Sequence, residues 1–176
     1  MSDDVTKLCD TAQAAGAAPA GTAPAAAKPD PDAWKKELVG KSEKVQKAIT
    51  NHHNKYNCAQ SVACAFAEDL GMDEETVFRM MEGFGFGMGA MHECGAVSAM
   101  AAIAGMKESD GNLQAPASKK ASYKAAKAML KAFEEKNGST ICSVIKGVET
   151  KKILRSCDGC VEDATDIVER YMEGKL

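Results

Sequence analysis

Apolar residues recur along this chain at spacings of three and four, with polar faces between them and glycines at the breaks. That rhythm predicts helices. Over Asp32–His53, Trp34, Leu38, Val45 and Ile49 mark a first helical stretch. Asn57 is suited to cap a second helix, and Gln60 three residues on completes a capping box. Val62, Phe66 and Leu70 then follow at fourfold spacing up to Gly71, a C-terminal stop. A third helix starts at Asp73, with Glu74 and Glu75 favoured by the dipole of its first turn. Val77, Met80, Met81 and Phe84 form its apolar face. Ala96 to Met106 reads as a closely packed helix of small residues. After the polar run Lys107–Gln114, Pro116 suits a helix first turn. Tyr123, Ala126, Leu130 and Phe133 face inward there, opposite a row of lysines, and Asn137-Gly138 ends the element. Ser139 or Thr140 caps a short helix holding Cys142 and Ile145. A last helix spans about Gly159 to Glu173, with Val161, Ala164, Ile167, Val168 and Tyr171 inward. No strand alternation is present, so the expected fold is all-α, a bundle of about six helices.

Two segments break the rhythm. Gly83, Gly85, Gly87 and Gly89 alternate with apolar residues, which does not suit a helix interior. This segment is expected to be a loop that uses positive φ or close backbone approach. Residues 1–31 are rich in Ala, Pro, Gly and Thr and close on Pro29-Asp30-Pro31. Such a segment buries too little area to offset backbone ordering, so a disordered tail carrying Cys9 is expected before a helical domain over 32–176.

Composition narrows the function. The formal charge of the 176 residues is −3, and no basic patch is interleaved with aromatics, which argues against nucleic acid. No apolar run reaches the roughly 18 residues of a membrane span. Met1-Ser2-Asp3-Asp4 carries acids where a secretory signal carries Lys or Arg, so a cytoplasmic location is expected. The glycine loop lacks the following Lys-Ser or Lys-Thr of a phosphate-binding loop.

Seven cysteines are many for a reducing compartment, where clustered thiols more often serve metal or redox chemistry than structural bridges. Cys58, Cys94, Cys142 and Cys157 each stand where a helix is expected to start. Unpaired N–H groups and the positive end of the helix dipole favour the thiolate there. Four such positions are the candidate site, converging on a metal cluster or a redox pair. Gly87, Gly89 and Gly95 are the positions where backbone is expected to approach the sulfurs. Cys160 makes a Cys-x-x-Cys spacing with Cys157 and is a secondary candidate, as is His92 two residues before Cys94. Cys64 follows Cys58 by about 600° of helix rotation and reads as packing. His52 and His53 suit the C-terminal end of the first helix.

These residues resemble a known family. Asn57-Cys58-Ala59-Gln60-Ser61-Val62, the glycine-rich loop, Cys94-Gly95-Ala96, the later Cys142 and Cys157, and Val161-Glu162-Asp163-Ala164 follow the pattern of the C_GCAxxG_C_C family. These are small bacterial proteins assigned to redox chemistry. The resemblance spans roughly Trp34 to Glu173. It implies an all-helical redox domain, related to that of split-Soret cytochromes, with a cysteine-ligated iron–sulfur or other metal site. It implies no particular enzymatic reaction. Ala99 stands where the motif closes on glycine, and Cys64 and Cys160 are additions. No Cys-x-x-Cys-His occurs, so covalent haem is not expected.

Three readings remain open. In the first, Cys58, Cys94, Cys142 and Cys157 ligate an iron–sulfur cluster for electron transfer with a partner protein. In the second, Cys157 and Cys160, or Cys94 and a partner, cycle between dithiol and disulfide without metal. In the third, the cysteines hold a structural zinc in a helical module. A homodimer burying a helix face is a further expectation.

Overall fold

The computed structural model describes Asp30 and residues 32–176. The expected disordered tail, with Cys9, lies outside the described residues apart from Asp30. The chain divides into two units, Met1–Lys41 and Ser42–Leu176. Within the first, α1 (Ala33–Glu37) is a short helix that carries an exposed Lys35–Asp32 pair at 2.8 Å. The expected single stretch from Asp32 to His53 is therefore broken. Gly40 takes φ +83°, and Ser42 restarts the helix by accepting from the Val45 amide.

The second unit holds seven helices among the described residues. These are α2 (Glu43–His53), α3 (Cys58–Ala65), α4 (Glu74–Met81), α5 (Gly95–Glu108), α6 (Lys119–Asn137), α7 (Cys142–Ile145) and α8 (Cys157–Met172). Two helix starts follow the caps read from sequence: Asn57 and Gln60 form the reciprocal capping box, and Asp73 accepts from the Thr76 amide. The start of α7 does not: its N-cap is Ile141 with no side-chain cap, and the expected Ser139 hydroxyl accepts from the Ile141 amide instead. Beyond an isolated bridge between Glu93 and Ile141, the described residues contain no extended pairing, so the fold is all-α.

α3 is the hub. Every residue from Ala59 to Ala65 is buried, and the helix packs on α2, α4, α5 and α8. α6 lies along α5, and α8 closes the bundle with Val161, Ala164, Ile167 and Val168 inward. A buried ion pair fixes the entry to α8. Asp163, only 1% exposed, accepts from Arg155 at 2.8 and 3.0 Å and pairs with Lys136 at 2.8 Å. A charge removed from water this completely is tolerated because it is bidentate and doubly paired.

Several boundaries and faces differ from the sequence reading. α3 ends at Ala65 rather than near Gly71, where the Ala65 carbonyl accepts from the Lys44 ammonium; the chain goes on in turns that keep Phe66 and Ala67 buried. α6 starts at Lys119, leaving Pro116 in the loop. Tyr123, expected inward, is 68% exposed, because the packed face of α6 is Met129, Phe133 and Asn137 in its second half. Met80 is also largely exposed, while Val77 and Met81, four apart, take the buried face of α4. α8 begins at Cys157, two residues before the expected start, because Ser156 accepts from the Gly159 amide.

Candidate functional site

The four cysteines singled out by sequence all fall at helix starts. Cys58 is the first residue of α3, Cys142 of α7 and Cys157 of α8, and Cys94 is the N-cap of α5. The six described cysteines are all thiols. The fold joins three of them. Cys94 is hydrogen-bonded through its side chain to Cys58 on one side and to Cys160 on the other. Cys94 and Cys160 are buried and Cys58 is partly exposed. Cys160 reaches this row from the first turn of α8, one turn on from Cys157.

Glycines make the approach possible. A Cβ on Gly95 would lie 2.5 Å from Cys58 Sγ and 2.7 Å from the Phe84 carbonyl oxygen, so only glycine lets α3 and α5 meet here. A Cβ on Gly87 would lie 2.7 Å from the His92 amide nitrogen and 3.0 Å from Cys142 Cβ, which places α7 beside the same turn. Gly85 is packed as tightly on the Asn57 side chain. Gly89 is different: nothing lies within 4 Å of its Cβ position, and its contribution is φ +69° rather than close approach. Phe86, Met88 and Met91 also take positive φ, so this turn is strained outside its glycines as well. His92 is exposed, and its backbone serves the site: its amide donates to the Gly87 carbonyl, and its carbonyl accepts from the Cys142 amide at 2.6 Å.

The electrostatics run against the ionisation expected from helix starts. The hydrogen bond to Cys94, burial and the Cys94 charge push the Cys58 thiol well above its usual range, against the Phe86 amide and the charge of His52. Cys94 is pushed up to about 12, first by its hydrogen bond to Cys160; the bond from Cys58 and the Ala96 amide act in the opposite direction. The N–H groups at the helix starts are present and do favour thiolate. Thiol neighbours and burial outweigh them.

A neighbour that the sequence reading did not place here is His52. Its Nδ1–H donates to Asp158 Oδ1 at 2.5 Å, and His53 Nε2 lies 3.5 Å from the other carboxylate oxygen. The Asp158 carboxyl is held below its usual range chiefly by the His52 bond. The signal was available: an acid in the first turn of α8 next to a cysteine, and a histidine pair closing α2. What was missing was the packing of α2 on α8. Cys64 is buried away from the thiol row, its Sγ 3.9 Å from the Glu74 carbonyl, and burial pushes it up to about 11.

Soft thiolates are the right donor type for iron–sulfur or zinc. Among the described residues, however, no three or more His, Cys, Asp or Glu side chains are grouped so as to hold a metal ion. The arrangement does fit a two-electron dithiol. Residues 56–171 match the model of the family described as "Putative redox-active protein (C_GCAxxG_C_C)". The chain belongs to this family. The match takes in all three joined thiols together with Cys142 and Cys157, and leaves α1 and α2 outside. No curated protein and no solved structure matches the chain. No helix among the described residues is long and apolar enough to cross a membrane.

Proposed function

We propose that this family member is a thiol redox protein whose reactive pair is Cys94 and Cys58. The observation that supports it is the hydrogen bonding of Cys94 to thiols on both sides in a glycine-enforced contact. The oxidant is a disulfide. One thiolate of the pair attacks it, releasing one thiol as leaving group, and the second thiolate displaces the mixed disulfide. The balance is two protein thiols and one disulfide giving one protein disulfide and two thiols. Because both thiols are held protonated, the exchange quickens as pH rises. Peptide mapping after oxidation by glutathione disulfide tests this; a Cys58–Cys94 linkage is expected.

A second reading has its own support. The Phe86 and Ala96 amides donate to Cys58 and Cys94 sulfur, as donors around an iron–sulfur cluster do. In this reading Cys58, Cys94, Cys142 and Cys157 ligate the cluster, the thiols rearrange to close on it, and electrons pass to a protein partner. Anaerobic purification with iron, sulfide and zinc analysis separates the two.

A further inference from the structure

Cys160 is a buried nucleophile that the pairing of Cys94 with Cys58 leaves unused. It lies on the inward stripe of α8, where Ala164, Ile167 and Val168 follow at helical spacing. Packing at that place asks only for a small apolar side chain. The thiol of Cys160 is also hydrogen-bonded to Cys94, the same sulfur that Cys58 meets. Cys94 and Cys160 are 5% and 3% exposed, and Cys58 is the least buried of the three. The first turn of α8 is held firmly. The Ser156 side chain accepts from the Gly159 amide, and the Ser156 carbonyl accepts from the Cys160 amide at 2.9 Å. Arg155 crosses this turn on its way to Asp163, and a Cβ on Gly159 would run into its side chain. Across the row, Gly95 seats Cys58 against the start of α5. The central sulfur therefore has thiols from two other helices within reach, and it can bond only one of them at a time.

We propose that Cys58, Cys94 and Cys160 form a disulfide relay, in which a disulfide made between Cys58 and Cys94 passes inward to Cys94 and Cys160. The inference deepens the thiol redox reading above and rests on it. The Cys160 sulfur attacks the Cys94 sulfur. The Cys94–Cys58 bond breaks as the Cys94–Cys160 bond forms, and the proton that leaves Cys160 ends on Cys58. One disulfide replaces another, so no oxidant or reductant is consumed. Hydrogen-bonded sulfurs have little distance to cover to the S–S bond length of about 2 Å. Exchange within a packed row waits for no encounter between molecules. The product keeps the two-electron oxidation in the interior and returns Cys58 to the thiol form, ready for a further disulfide substrate.

The test is a brief oxidation of the full chain with glutathione disulfide, gel filtration to remove it, and anaerobic incubation. Samples are alkylated with N-ethylmaleimide over time and mapped by tandem mass spectrometry. Cys94–Cys160 peptides should rise to about a tenth or more of the linked protein as Cys58–Cys94 peptides fall. Alkylated Cys58 should rise in step, with total free thiol constant and a rate independent of protein concentration. Cys160→Ala, checked for an unchanged helical spectrum, should still form Cys58–Cys94 and leave Cys58 unalkylated in the linked protein. A Cys58–Cys94 linkage that stays in place in the parent, with Cys160 alkylated throughout, overturns the relay and leaves the redox reading standing. Linkage of Cys160 to Cys157 in place of Cys94 also overturns it. Oxidation that links Cys94 to neither thiol overturns both.

Discussion

Cys58 and Cys64 sit on the same short helix, six residues apart and on different sides of it, and the fold treats them differently. Cys64 lies in the packed interior, with the Glu74 carbonyl and apolar side chains for company, and its pKa is raised chiefly by burial and then by the Glu74 charge. Cys58 stands at the helix start against a second thiol, a backbone amide and a histidine charge. Both are poorly ionised, but only Cys58 has another sulfur within hydrogen-bonding reach. The chemistry of a cysteine here comes from its neighbours, and the neighbours come from where glycine lets two helices touch.

The strongest way to break this contrast is to remove the central sulfur. Cys94→Ser should eliminate all of the intramolecular disulfide formed on oxidation, whereas Cys64→Ser should leave its yield intact, as mass spectrometry of alkylated protein would report. Next in size is Gly95→Ala. The added methyl meets Cys58 Sγ, the Phe84 carbonyl and the Ala59 amide, and overpacking against backbone should cost about 3 kcal/mol in denaturant unfolding. Gly105 on the same helix has open space at its Cβ position, so Gly105→Ala should instead stabilise by roughly 0.5–1 kcal/mol.

The contrast was only partly legible in sequence. Caps at Asn57 and Asp73 and the glycine turn are local features, and local hydrogen bonding dictates them, so they read correctly. The buried face of α6 did not read from periodicity alone: Tyr123 fits the spacing but is exposed, in the half of the helix that holds no fully buried residue. The meeting of Cys160 with Cys94, and of His52 with Asp158, depends on how α8 rotates against α2 and α5. No local signal encodes that rotation. The ionisation of Cys58 and Cys94 departs from the sequence reading for a related reason. A helix start is visible in sequence, while the opposing thiol and the depth of burial are not.

Two smaller effects sharpen the account. His52 favours Cys58 thiolate, so His52→Ala should slow Cys58 alkylation several-fold at neutral pH while leaving Cys64 unchanged. Stability should also fall on the alkaline side. The Cys64 and Cys94 thiols are raised in the folded state, so the unfolded chain binds fewer protons once pH passes about 9. Their contribution is fully present below that pH and is lost as pH climbs through about 11 for Cys64 and about 12 for Cys94. Cys64→Ala should flatten the part between 9 and 11, as urea midpoints against pH would record.

The measurement that bears most directly on the central claim is disulfide mapping of the anaerobically purified full chain, before and after glutathione disulfide, with iron and sulfide measured on the same sample. The account predicts metal-free protein, thiols at Cys58 and Cys94 beforehand, and a Cys58–Cys94 cross-linked peptide two hydrogens lighter afterwards. Stoichiometric iron and sulfide, or oxidation that leaves Cys58 and Cys94 unlinked, would contradict it.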